Sequence, residues 1–206
     1  MVNKKLTKNA EQQLFSNNLE EYKDFCGIDE AGRGPIAGPL LFAAAILKRP
    51  IDGLNDSKKL SEKRRELLFE EIKKSAYYFI YQVDAAKIDT IGLSLAIQES
   101  LLAIKAHCGK REYLFDGKAT FGVSGLHTMV KADGKVANVS AASILAKVTR
   151  DKLMIEYAKI YPEYGFDKHK GYGTKQHLEA IAKYGYTPIH RKSFKIKLPT
   201  KEYTLF

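Results

Sequence analysis

Apolar residues in this chain fall first into short runs, then recur every three and four positions, then return to short runs, a pattern that predicts strands and helices in alternation. Asp24 to Ile28 reads as a short strand that stops at Asp29-Glu30 and a glycine-rich turn, GRGPIAGP, before a second strand through LLFAAAIL. That second run, Leu40 to Leu47, is the longest apolar stretch; it is too short to span a bilayer and predicts a buried strand. Leu60, Leu67, Leu68 and Ile72 then repeat at helical spacing with Ser61 available as N-cap, and YYFIYQV follows as an aromatic-rich strand. A second helix is predicted from Ile88 to His107, ending near Gly109, with short strands at EYLFDG and LHTMVK. The strongest helical pattern runs from Asn138 to Tyr161, its first turn made of small residues suited to close packing on a sheet.

The elements predict a single α/β domain over residues 21–206. Early strands in a near-continuous meander and later strands separated by helices imply a mixed sheet. Residues 1–20 form a polar appendage with at most one short amphipathic helix around Leu14, Phe15 and Leu19. From about residue 162 the chain becomes a basic helical and loop segment: Lys168 to Lys197 holds eight Lys/Arg against one Glu. A chain of 206 residues can bury a core large enough to fold alone.

Charge narrows the choice of partner. The chain carries 34 Lys+Arg against 24 Asp+Glu, a formal +10, so its field attracts polyanions, nucleic acid first among them. A hydrophobic content of 45% excludes a disordered or collagenous chain. Cys26 and Cys108 form no C-x-x-C, which leaves neither a disulfide framework nor a thiolate metal site and fits a reducing cytoplasm. The N-terminus has no apolar core of a secretory signal, so a cytoplasmic protein with no membrane attachment is expected.

Candidate chemistry lies in the carboxylates. Asp29-Glu30 interrupts an apolar strand at its carboxyl end, where sites collect in α/β sheets. Asp116 repeats the arrangement of apolar strand, carboxylate, glycine, and reads equally as a D-G turn residue; Asp133 follows another short strand and reads equally as a loop acid. Asp151, one turn after Lys147 in the long helix, is more simply an i, i+4 ion pair. Convergence of three or four of these acids would give an all-oxygen site, selective for Mg2+ or Mn2+ and suited to phosphodiester hydrolysis. The segment GRGPIAG is not a dinucleotide fingerprint, because its third glycine falls one place late and a strand follows. Gly32 and Gly34, flanking Arg33, instead let the main chain approach a ligand closely, as reading a 2'-hydroxyl requires.

Six ordered segments, GIDEAGRGPIAGPL, DSKKLSEKRRE, VKAD, SAASILAKVTRD, YPEYGFDKHKGYGT and PIHRKSF, resemble the successive signatures of the type 2 ribonuclease H family, from about Phe25 to Phe194. The resemblance implies a ribonuclease H-like fold, with a mixed five-stranded sheet flanked by helices. It implies a metal-dependent endonuclease, with two ions expected in the active complex, that cuts the RNA strand of RNA/DNA hybrids. It also implies cleavage 5' of single ribonucleotides in duplex DNA, leaving 3'-hydroxyl and 5'-phosphate ends. By the same resemblance Asp29, Glu30, Asp116 and Asp133 hold Mg2+ or Mn2+, Gly32, Arg33 and Gly34 sense the 2'-hydroxyl, and Tyr172 stacks at the RNA-to-DNA junction. Lys58 resembles a phosphate-contacting lysine, and Arg191, Lys192 and Ser193 are expected to contact the nucleic-acid backbone. A related type 3 family carries a serine or threonine version of the glycine loop, so GRGP favours type 2. The terminal E-Y-T-L-F loosely resembles peptides that dock on replication sliding clamps. A monomer is expected. Alternative readings are a non-catalytic hybrid-binding protein and another ribonuclease H-like nuclease acting on DNA.

Overall fold

The computed structural model describes residues 25–54 and 60–199. The N-terminal appendage, Lys58 and the clamp-like C-terminal residues lie outside the described residues. A five-stranded sheet of order β3-β2-β1-β4-β5 carries the fold. Its strands are β1 (Phe25–Ala31), β2 (Leu40–Leu47), β3 (Ala76–Val83), β4 (Glu112–Asp116) and β5 (His127–Met129). β1 pairs antiparallel with β2, and β2 with β3, whereas β1, β4 and β5 run parallel. The sheet is therefore mixed, as the meander followed by crossovers predicts.

The alternation of side chains along β2 sorts the core into two layers. Phe42, Ala44 and Ile46 face α2 (Ala85–Ile91) and α3 (Leu93–Cys108). Ala43, Ala45 and Leu47 face α1 (Glu62–Ser75) and α4 (Ala137–Ile160). Every residue of β2 is buried. Ser61 caps α1 by accepting from the Arg64 N–H at 3.3 Å. Two expectations need correction. The helix foreseen from Ile88 to His107 is two helices, because Gly92 adopts φ +80 and breaks the chain between α2 and α3. β1 does not stop before the acids: it runs on through Asp29 and Glu30, because Ala43 and Phe42 of β2 continue to pair with them.

The small first turns of α4 permit it to lie directly on β1. A Cβ placed on Gly27 would come within 2.3 Å of the Asn138 carbonyl carbon. Asn138 ties the contact, donating from Nδ2 to the Phe25 carbonyl and accepting from the Leu47 N–H, each at 3.0 Å. The C-terminal segment packs instead of trailing. A short helix α5 (Phe166–His169) and α6 (Lys175–Tyr184) join Met154 and Ala37 in a separate apolar cluster. A backbone bridge between Ala37 and His190 fixes that cluster to the glycine-rich loop.

Gly27→Ala is expected to lower the unfolding free energy by about 3 kcal/mol, read as a drop in urea midpoint with unchanged slope.

Candidate active site

The parallel pair β1–β4 places the acids together. Ile28 pairs with Phe115, so Asp29 and Asp116 follow side by side at the carboxyl ends of neighbouring strands. Asp116 accepts the N–H groups of Lys131 at 2.9 Å and Asp133 at 3.3 Å, which folds the turn after β5 back over β4. Ser140 of α4 donates its hydroxyl to the Asp133 carbonyl and holds that turn from the other side. As a result Asp29, Asp116 and Asp133 each bring a carboxylate oxygen to within 4.8 Å of one another. Glu30, next in the strand, stands outside this trio but lines the same cavity. Its carboxylate lies 3.6 Å from the Arg33 guanidinium.

Asp29, Glu30 and Asp116 line a cavity of about 430 Å3 together with the loop Gly32–Gly34, Ser143, Lys147, Arg150 and Tyr172. Burial, and next the adjacent Glu30 carboxylate, push the Asp29 carboxyl well above the usual carboxylate range, while a hydrogen bond from Ser143 opposes the shift. Such a cluster is repulsive to its own protons' loss and attractive to a divalent cation. Its donors are all hard oxygens, with no histidine or thiol in the group, which fits Mg2+ or Mn2+.

The glycine-rich loop forms the opposite wall. Gly32 adopts φ +96, and a Cβ there would meet Arg150 Nε at 2.2 Å, so this position admits only glycine. Tyr172 is half exposed, and its ring edge would lie 3.7 Å from a Cβ on Gly34. A ring so exposed is not part of the apolar core.

Arg191 corrects an expectation: it is 1% exposed and does not reach the surface. Its Nε donates to the Gly38 carbonyl at 3.0 Å and its Nη1 to the Arg33 carbonyl at 3.3 Å. The Ser193 hydroxyl donates to Asp89 at 2.6 Å, and Asp89 also accepts the Lys192 and Ser193 N–H groups. Lys192 is exposed. Asp151 pairs with Lys147 at 2.8 Å, the helix pair expected from its spacing.

Sequence reasoning passed over Ser143, Lys147 and Arg150. Their spacing of four and three sets them on one face of α4, and that periodicity, read for polar residues instead of apolar ones, was the available signal. Arg150 is 2% exposed and donates to the carbonyls of Pro39, Ala37 and Lys170 at 2.9–3.1 Å.

A mixed sheet of this order, with acids at the carboxyl ends of its adjacent parallel strands, places the molecule among the ribonuclease H-like nucleases. The sequence profile described as Ribonuclease HII matches residues 26–197. Ribonuclease HII of Sulfurovum sp. (strain NBC37-1) is 58% identical over 177 residues, covering 86% of this chain and 94% of that protein. The same enzyme of Campylobacter concisus (strain 13826) is 58% identical over 181 residues, covering 88% and 98%. Among solved structures, the RNase HII of Archaeoglobus fulgidus, seen in a complex with PCNA, matches with a TM-score of 0.72 at 27% identity, over 86% of this chain and 98% of that one. The chain belongs to the ribonuclease HII family and is a type 2 ribonuclease H, a hydrolase of RNA/DNA hybrids.

Because its folded-state pKa is raised, Asp29 favours the fold while protonated and costs stability once pH rises through that value. In the absence of divalent cations at neutral pH, Asp29→Asn is expected to stabilise the protein by about 1–2 kcal/mol. It should also remove most of the stabilisation that Mg2+ gives the unsubstituted protein in thermal melts.

Proposed function

We propose that the cavity beside the glycine-rich loop cuts the RNA strand of a hybrid, and cuts 5' of a single ribonucleotide in duplex DNA, leaving 3'-hydroxyl and 5'-phosphate ends. The observation that carries this reading is that one cavity holds Asp29, Glu30 and Asp116, the Gly32–Gly34 loop and the exposed Tyr172 ring, with the Asp133 carboxylate within 4.8 Å of those of Asp29 and Asp116. Asp29, Asp116 and Asp133, joined by Glu30, would hold two Mg2+ or Mn2+ ions, which when bound would offset the negative charge that builds on the phosphate during in-line displacement. The chain's own residues position the substrate. Gly32 and Gly34 keep side chains out of the way of a sugar, and their peptide groups read its 2'-hydroxyl. Arg33 is about half exposed at the mouth, where its guanidinium meets either Glu30 or a phosphate oxygen. Tyr172 stacks on the following deoxyribose and excludes water from the junction.

Lys192 contacts the backbone further along the duplex, and Lys58 takes a phosphate. The reading extends to a cytoplasmic monomer acting in ribonucleotide removal from DNA. The free thiols of Cys26 and Cys108 support that compartment, and no helix among the described residues is long and apolar enough to cross a membrane. Docking of residues 202–206 on a sliding clamp is supported by the complex of the archaeal relative with PCNA. Undiminished clamp binding after deletion of those residues would remove it.

The test is a labelled DNA duplex containing one ribonucleotide, beside an RNA/DNA hybrid and an all-DNA duplex, with Mg2+, Mn2+ or EDTA. Metal-dependent cutting 5' of the ribonucleotide, with the all-DNA duplex intact, is expected. Cutting of the all-DNA duplex would indicate a DNA nuclease, and tight binding without turnover a hybrid-binding protein. Asp116→Asn is expected to slow turnover on the order of 10^3-fold or more while duplex affinity changes little. Tyr172→Ala should lose single-ribonucleotide cleavage more than hybrid cleavage; equal losses would remove the junction-reading role.

A further inference from the structure

Three histidines that the chemistry above does not use lie together beneath Tyr172. His177 and His190 are fully buried, and the His169 ring stacks on His177 with centroids 4.5 Å apart. Their hydrogen bonds admit a single arrangement of protons. The Thr187 N–H donates to His190 Nδ1 at 2.8 Å, so that nitrogen is bare and the His190 proton sits on Nε2. His190 Nε2 lies 3.0 Å from His177 Nε2 and donates to it, which leaves the His177 proton on Nδ1. His177 Nδ1 in turn faces the Tyr172 carbonyl at 2.9 Å and donates there. His169 closes the set: its Nε2 donates to the Tyr164 carbonyl at 2.7 Å, and its Nδ1 accepts the Gly171 N–H at 3.2 Å.

The atoms so held are the backbone of the loop that presents Tyr172. This loop needs holding. Lys170 and Gly171 adopt φ +50 and +84, and the Gly171 carbonyl accepts the Ile36 and Ala37 N–H groups at 3.0 and 3.2 Å, tying it to the glycine-rich loop. With its main chain fixed on both sides, the Tyr172 ring has only its own torsions to vary over Gly34.

We infer that His177 is a positioning residue: with its proton placed by His190, it fixes the Tyr172 carbonyl and thereby aims the Tyr172 ring at the junction sugar. The inference rests on the junction-reading role proposed for Tyr172. Burial holds His177 and His190 down at about 4 and lowers His169 as well, so the set stays neutral at physiological pH. The titratable or charged groups facing it are the three rings themselves, Tyr164, Tyr186, Asp167, Lys170 and Lys192. A proton added at His177 Nε2 would oppose the His190 N–H, and the pair would part.

The experiment compares the purified protein with His177→Phe, which fills the space without hydrogen bonds, and His177→Asn, whose amide N–H can replace the Nδ1 donor. Tyr172→Ala serves as reference, and each variant is checked for a cooperative melt. At neutral pH, His177→Phe is expected to lower kcat/KM on the single-ribonucleotide duplex about tenfold with hybrid cleavage nearly unchanged, and His177→Asn to recover most of the loss. Imidazole 15N shifts should show Nδ1–H on His177 and Nε2–H on His169 and His190. Equal losses on both substrates, no loss, or the opposite tautomers would overturn the inference. If the tautomers are as assigned but Tyr172→Ala keeps its selectivity, the Tyr172 reading fails. If Tyr172→Ala loses selectivity and His177→Phe does not, only the positioning role fails. Because the folded-state values lie below the ordinary 6.5, urea stability should fall as pH drops from about 6.5 toward about 4, and fall less in His177→Phe.

Discussion

Arg150 and Arg191 reach the same short loop from separate parts of the chain, and the geometry of the site depends on what their guanidinium groups hold there. Between them they bind the carbonyls of Arg33, Ala37, Gly38, Pro39 and Lys170. A buried cation costs several kcal/mol unless its hydrogens are met, and here backbone oxygens meet most of them. Burial lowers Arg150 to about 10, and burial with the Arg150 charge lowers Arg191 to about 9, values that leave both protonated at neutral pH. The loop therefore turns its carbonyls inward to the cations. That inward turn brings Arg150 against Gly32, and the same cation binds the loop of Tyr172 through the Lys170 carbonyl.

The acids obey the opposite electrostatics. Asp29 is desolvated and faces Glu30 and Asp116, yet the fold brings these groups together through backbone pairing and packing of α4 on Gly27. Asp116 serves two ends at once, since the carboxylate that joins the trio also caps the turn presenting Asp133. Of the cations lining the cavity, Arg33 and Lys147 are each paired with a carboxylate, Glu30 and Asp151, and Arg150 is taken up by backbone carbonyls. The lining cations are thus committed to other groups, while a divalent ion suits the hard oxygens that Asp29, Asp116 and Asp133 bring together.

Local pattern carried much of this arrangement. Leu40–Leu47 is legible because a strand buried on both faces needs an unbroken apolar run, Asp29 and Asp116 because each follows a short apolar run of its strand, and Asp133 because it comes shortly after the short strand β5. What escaped depends on distant partners. Arg191 sits in a basic run that reads as a solvated face, and only carbonyls from a loop some 150 positions earlier make its burial tolerable. The break at Gly92 hides inside a continuous apolar period, and the strand character of Asp29-Glu30 comes from β2, not from those residues themselves. Ser143, Lys147 and Arg150 sat in a helix whose apolar signal drew attention to its other face. His169, His177 and His190 share no period, so nothing in their spacing announces that they meet.

The parallel register of β1 on β4 makes the spacing of the acids a digital quantity. A strand can slip only by whole residues, about 3.3 Å each, and a slip of one would also turn Asp116 to the opposite face of the sheet. Neither error can be absorbed by side-chain torsions alone. Insertions and deletions in this chain are therefore confined to connections that leave the Ile28–Phe115 pairing untouched. Length is free to drift in the outer turns, while the two strands at the centre keep count.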